Sequence, residues 1–145
     1  MKNIAQQQLM EVTRVDWETP DWLFRRQHEK YHFTVDVCAD IRNHKLPRYW
    51  DAATDGLRQS WAGERCWMNP PYGREIKRWV QKACLEAAHD RALVVALLPV
   101  RTDTHWWHDW VQGRAEVEFL RGRVRFNGGR ADAPFPSCIA VWGAS

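Results

Sequence analysis

Four consecutive residues, Asn69-Pro70-Pro71-Tyr72, hold the densest chemistry in this chain; they stand between the stretch Arg65 to Met68 and a helix-patterned run that opens near Arg74. An amine conjugated to a ring or a carbonyl is a poor nucleophile because its lone pair is delocalised. Two acceptors that take its N–H bonds favour a tetrahedral nitrogen, and an Asn side-chain oxygen beside a main-chain carbonyl provides such a pair. Proline at the next two positions fixes φ and carries no N–H, so the loop is stiff and its carbonyls are free to face a ligand. Tyr72 adds an aromatic face for stacking. Acceptors for an NH2 group plus an aromatic platform are what a pocket needs to hold a flipped-out adenine. The plainer alternative is a turn, which Asn and Pro both favour.

A second pattern competes for attention. His28-Glu29-Lys30-Tyr31-His32 satisfies the metal-binding spacing H-E-x-x-H on an expected helix. No further His follows at the spacing of the extended motif, and a strand is expected to begin at Phe33, directly after His32. The favoured reading is two solvated histidines at a helix end, where positive charge suits the dipole, so a zinc hydrolase is disfavoured and no metal is expected. Cys38, Cys66, Cys84 and Cys138 form no C-x-x-C pair and read as buried free thiols.

The elements that must position the tetrapeptide come from one chain of 145 residues, enough for a single sizeable core. Residues 1–16, polar and rich in Gln, are expected as a flexible N-terminal segment, and 17–145 as one domain. Thr19-Pro20-Asp21 reads as a helix start, with Thr as N-cap, Pro in the first helical position and an acid in the first turn. That helix runs to about Lys30. Phe33, Val35 and Val37 alternate with polar neighbours and predict a strand, and Ala39 to Gly63 reads as loop with a short turn of helix. Cys66 to Met68 is a second strand. Ile76, Trp79, Val80, Ala83, Cys84 and Ala87 share one face of a helix. Ala92 to Leu98, closed by Pro99, has the pattern of a strand buried on both faces of a parallel sheet. A Trp-rich helix is expected around Thr104 to Val111, with strands at Val117 and Phe119, at Val124 and Phe126, and from Cys138 to Trp142. Together these predict an open α/β sheet, largely parallel, flanked by helices and ending in a strand-rich segment. In such sheets ligands sit beyond the carboxyl ends of the strands, so Asp36 and Asn69 are expected to open onto one crevice.

Net charge is +3 with a pI near 8.8, which permits nucleic acid without demanding it. Arg121, Arg123, Arg125 and Arg130 cluster near the C-terminus with Arg101 upstream, either as a phosphate-tracking surface or as a solvated strand face. The ten tryptophans, Trp106-Trp107 among them, are read chiefly as core, with base wedging as the alternative. No apolar run approaches the ~18 to 20 residues of a membrane span, so a cytoplasmic protein is expected.

The chain resembles the small phage-type DNA N6-adenine methyltransferases that use S-adenosylmethionine. The likeness runs from Glu18-Thr19-Pro20-Asp21-Trp22-Leu23-Phe24 through Val35-Asp36-Val37-Cys38-Ala39, Asp55-Gly56-Leu57 with Trp61, and Trp67-Met68-Asn69-Pro70-Pro71-Tyr72-Gly73. It continues in Leu97-Leu98-Pro99-Val100-Arg101-Thr102-Asp103-Thr104, Gly122-Arg123-Val124-Arg125-Phe126 and Ala133-Pro134-Phe135-Pro136-Ser137. The resemblance implies an abbreviated Rossmann-like class I methyltransferase fold, S-adenosylmethionine as cofactor and double-stranded DNA with a flipped adenine as partner. It implies cofactor roles for Thr19, Pro20, Phe24, Asp36, Ala39, Asp55 and Asn69, and catalytic roles for Asn69, Pro70, Pro71 and Tyr72. One departure is plain: no Gly follows Asp36 in Val37-Cys38-Ala39-Asp40-Ile41, so the cofactor must be held without a glycine-rich turn. Three alternatives stay open: adenine in RNA, the amide of a protein glutamine, and a DNA-binding relative that does not catalyse.

Overall fold

The computed structural model describes residues 17–143; the expected tail 1–16 lies outside the described residues. Helix α1, Asp21–Tyr31, begins one residue later than the sequence suggests. Pro20 is its N-cap, and no side chain caps it. Thr19 therefore does not cap the helix, because its hydroxyl bonds to the Asn69 carboxamide instead.

The end of α1 settles the histidine pair. His32 leaves the helix in the left-handed conformation, while His28 Nδ1 accepts the Phe33 N–H at 3.0 Å. The His28 ring is stacked between Phe24 and Phe33. Two imidazoles one turn apart on a single helix face are thus not formed, and His28 serves to close the helix.

Strand β1 is only Val35–Asp36. On the edge away from β2 it meets residues 48–50: Asp36 N–H donates to the Arg48 carbonyl at 3.0 Å and Trp50 N–H to the Asp36 carbonyl at 2.9 Å. That segment covers the open edge of the sheet. A single 3-10 turn, Gly56–Arg58, lies against the end of β1. A Cβ on Gly56 would collide with the Val37 carbonyl, so only glycine allows this approach.

Strand β2 is Arg65–Met68 and helix α2 is Ile76–His89, whose Ile76, Trp79, Val80, Ala83 and Cys84 are buried. Each of the larger apolar side chains contributes about 1.5–3 kcal/mol on burial. Strand β3, Leu93–Pro99, is buried throughout. The Trp-rich segment gives one wide π-type turn, Trp107–Val111, closed by Gln112 N–H to the Trp107 carbonyl. Strands β4, Glu116–Phe119, and β7, Ser137–Trp142, complete a five-stranded sheet in the order β1-β2-β3-β7-β4.

The sheet corrects the expectation of a largely parallel one. β1, β2 and β3 are parallel, whereas β7 runs antiparallel to both β3 and β4. β3 is buried on both faces, but as the boundary between the two halves. Antiparallel neighbours need no helical crossover, which is how so short a chain completes the sheet. Strands β5, Arg125–Phe126, and β6, Ala131–Asp132, leave the sheet altogether as a two-stranded ribbon. The buried apolar side chains join in one cluster, and no helix among the described residues is long and apolar enough to cross a membrane.

Candidate active site

Side chains alternate along β2, so Asn69 emerges on the face occupied by Trp67, which packs edge-on against Phe24 of α1. There the carboxamide meets the chain just before that helix. Asn69 Nδ2 donates to the Trp17 carbonyl at 2.6 Å and to Thr19 Oγ1 at 3.0 Å. Both N–H bonds of the amide are used. The Tyr72 hydroxyl lies 3.1 Å from the Leu97 carbonyl and 3.2 Å from Asn69 Oδ1. It has one proton to share between them, so the carboxamide oxygen keeps lone pairs for another donor.

Tyr72 departs from the open stacking face expected of it, being only 8% exposed. Its ring meets Phe135 at 5.5 Å and Phe126 at 6.5 Å, both edge-on, and Trp17 packs against the same two phenylalanines. A reciprocal clasp holds this cover in place: Glu18 N–H donates to Asn127 Oδ1 at 2.8 Å, and Asn127 N–H donates to the Glu18 carbonyl at 3.2 Å. Burial first, and then the neighbouring Cys138, pushes the Tyr72 hydroxyl well above its ordinary value, which removes it as a base. The loop is not sealed, since Asn69 and Pro71 are half-buried and Gly73 is exposed.

Residues 6–137 match the model of the family described as DNA N-6-adenine-methyltransferase (Dam). The chain belongs to this family. It is also 31% identical over 113 residues to the DNA N-6-adenine-methyltransferase of Haemophilus phage HP1 (strain HP1c1), an alignment that covers 76% of this chain and 65% of that relative. The chain thus spans somewhat less than two thirds of the relative's length.

Around this Dam-family loop the other expected cofactor residues fall into two groups. Thr19 is buried beside Asn69, and Pro20 is half-buried one residue on. Ala39 and Asp55 are half-buried beyond the end of β1, with Ala39 N–H donating to the Trp50 carbonyl and Asp55 Oδ1 accepting from Leu57 N–H. Phe24 and Asp36 are more deeply buried than Ala39 and Asp55. Phe24 is packed among His28, Phe33 and Trp67. Asp36 is 2% exposed, not open to a crevice, and its carboxylate accepts the backbone N–H groups of Lys45 at 3.0 Å and Cys38 at 3.4 Å. Burial raises its pKa to about 6 against the pull of those hydrogen bonds. These bonds tie the 37–45 loop to the end of β1, because a buried carboxylate demands such donors.

Lys45 extends that arrangement towards the Dam-family loop. Its ammonium reaches Asp21 at 2.8 Å and Glu18 at 3.7 Å, tying the 37–45 loop to the segment before and at the start of α1, where Trp17 and Thr19 hold Asn69. Sequence reasoning missed Lys45, Trp17, Asn127 and the covering role of Phe126 and Phe135. Trp17 and Leu97 act through main-chain carbonyls, which no residue type announces. Only the Val124–Phe126 alternation hinted that one face of the ribbon points inward.

The arginines occupy its other face. Arg121, Arg123, Arg125 and Arg130 are all exposed, as is Arg101. Arg125 pairs with Asp132 at 3.0 Å and Arg101 approaches Asp103 at 3.9 Å. The segment from Arg121 through β5 therefore carries positive charge outward and the cover of Tyr72 inward. One cleft of about 390 Å³ lies along α2 near Arg78, Lys82 and Glu86, and another of about 180 Å³ between α1 and β4. Neither is lined by Asn69. Among the described residues, no three His, Cys, Asp or Glu are placed to hold a metal ion.

Proposed function

We propose that this chain transfers a methyl group from S-adenosylmethionine to the N6 amine of adenine in DNA. The observation that carries the reading is the carboxamide of Asn69, held by both of its N–H bonds so that its oxygen is left to accept from a substrate amine. The Pro70 carbonyl is the second acceptor.

The residues at the end of β1 fit such a cofactor. Burial raises the Cys38 thiol, and the carboxylates of Asp36, Asp40 and Asp55 lie near enough to raise it further, so three acids gather at this end of the sheet. That environment suits a ligand with sulfonium and ammonium charges. The N–H groups of Cys38 and Ala39 are taken by Asp36 and the Trp50 carbonyl, so no amide cradle for an anion exists there. A cofactor without a phosphate needs none. Asp55 and Ala39, with Pro20, would hold it, and Asp36 would act only through the loop it folds.

When bound, S-adenosylmethionine supplies a methyl group on a positively charged sulfur, which the amine nitrogen takes in line as the carbon–sulfur bond breaks. Asn69 and the Pro70 carbonyl localise the nitrogen lone pair and fix its direction, and positioning supplies much of the rate. No side-chain base is required, because the nitrogen becomes acidic only after it gains the methyl group and water then takes the proton. A base stacked in a duplex must be extruded to reach this loop. It enters where Phe126 and Phe135 stand, so the aromatic cover has to swing aside before Tyr72 can stack on the base. The exposed arginines on the same segment place phosphate contacts where they would pull on that cover.

The test offers labelled S-adenosylmethionine with unmethylated DNA, RNA and cell protein in parallel, for the natural chain and Asn69→Ala. The expected result is label in DNA as N6-methyladenine, reduced at least about a hundredfold by the substitution, the scale for losing one oriented acceptor. Label confined to RNA or protein, or an undiminished Asn69→Ala, overturns the reading.

A further inference from the structure

We propose that Thr19 is a positioning residue for Asn69, acting on the carboxamide and not on the cofactor, so that the site accepts an amine and refuses a carbonyl. The inference rests on the methyl-transfer reading for its consequence in catalysis and on the structure for its geometry.

A carboxamide can rotate to present either its oxygen or its nitrogen. The Trp17 carbonyl, 2.6 Å from Asn69 Nδ2, is purely an acceptor and decides which end faces it, since the reverse orientation would set two oxygens against each other. That contact alone leaves the amide free to pivot about one N–H bond. Thr19 Oγ1, 3.0 Å from the same nitrogen, takes the second N–H and fixes the plane. Thr19 is 3% exposed, so no water replaces its hydroxyl. Oδ1 then points away from residues 17–19, and among the described residues the one donor on it is the shared Tyr72 proton. A ligand that presents an N–H pair is welcomed there. A six-membered ring with an oxygen at the same place meets lone pairs.

The segment 17–19 that holds the Asn69 amide is itself anchored twice, by the Glu18–Asn127 clasp and by the Lys45 bridge to Glu18 and Asp21. Thr19 therefore works from a fixed base.

The experiment compares Thr19→Val, which keeps volume and removes the hydroxyl, with Thr19→Ser, which keeps the hydroxyl. Both are read by kcat, by KM for the cofactor and for DNA, and by the side-chain NH2 resonances of Asn69 in the protein without ligands. In Thr19→Val, kcat is expected to fall about tenfold or more while KM for the cofactor stays within about twofold, as expected for a lost buried hydrogen bond. The Asn69 NH2 signals should shift and exchange faster with water. Thr19→Ser should restore both. Unchanged Asn69 signals in Thr19→Val overturn the proposal whatever the enzyme does. A rise in KM for the cofactor at constant kcat does so too, since it makes Thr19 a cofactor contact. Altered Asn69 signals in Thr19→Val, with a natural chain that methylates no DNA, uphold the positioning and refute only the proposed function.

Discussion

Asp36 gives this fold an unusual dependence on pH. Its carboxyl is raised from 3.8 to about 6, with burial the leading cause and the N–H groups of Lys45 and Cys38 opposing it. A folded-state value above the unfolded one means that the folded chain holds the proton more tightly. The resulting stabilisation is complete below about 3.8 and is lost as pH rises through about 6. At about 1.36 kcal/mol per pH unit the total is about 3 kcal/mol. Other acids work in the opposite sense. Asp21, hydrogen-bonded by Lys45, and Glu64, hydrogen-bonded by Arg48, are both lowered, and so is Asp51 through the backbone N–H of Thr54. Their contributions vanish only as pH falls below the ordinary carboxylate range, so among these acids the interval from pH 7 to about 5 belongs to Asp36.

The measurement is urea unfolding at pH 7, 6 and 5 for the natural chain and for Asp36→Asn, which cannot titrate. The natural chain should gain about 1 to 2 kcal/mol relative to the variant across that interval. Absolute stability will differ as well, because an Asn amide nitrogen cannot accept from Lys45 or Cys38, but only the difference in slope bears on the argument. Identical slopes would mean that Asp36 is not the buried acid described, and with it would go the account of how the 37–45 loop is folded.

Two further outcomes follow from the aromatic cover and the loop beneath it. Tyr72→Phe keeps the ring and removes a buried hydroxyl worth about 1 kcal/mol. At ~2.1 cal/mol/K per residue over 145 residues, that lowers Tm by about 3 °C. The kcat should stay within a few-fold, and a loss of a thousandfold would reinstate the hydroxyl as an acid or base. Asn127→Ala removes the acceptor of the Glu18 N–H, and it places alanine at φ 57, a conformation that suits Asn better. Amide exchange at Glu18 should then accelerate about tenfold or more, the counterpart of ~1.4 kcal/mol, while the amides of β3 stay protected. Equal exchange at Glu18 in both proteins removes the clasp from the argument.

What could be read in the sequence was whatever its residues decide locally. The face of α2 was legible because Ile76, Trp79, Val80, Ala83 and Cys84 repeat at helical spacing, and β3 because its apolar run has no alternative to burial. The direction of β7 was not legible, since Ser137–Trp142 reads the same whichever way it pairs with β3. β1 was overextended because alternation marks side chains that turn inward, whereas pairing was decided by the distant carbonyls of Arg48 and Trp50. The Asn69 loop itself was legible from residue types. Its surroundings were not: the Thr19 hydroxyl suits an N-cap as well as it suits the Asn69 amide, and only the tertiary fold chooses between them.

That choice has a consequence for how the site is assembled. The sheet fixes where Asn69 leaves β2, but the orientation of its amide depends on residues 17–19, and these depend on Asn127 and Lys45 in two other loops. The same segment 17–19 also carries Trp17, which packs against Phe126 and Phe135 in the cover over Tyr72. On the proposed function, motion that admits a base would have to displace Phe126 and Phe135 without dragging residues 17–19 away, or the acceptor would be lost as the cover opens. The clasp between Glu18 and Asn127 is where those two demands conflict, because Asn127 follows Phe126 directly in the chain. Opening at the ribbon alone, with Lys45 still holding Glu18 and Asp21, is the motion that satisfies both.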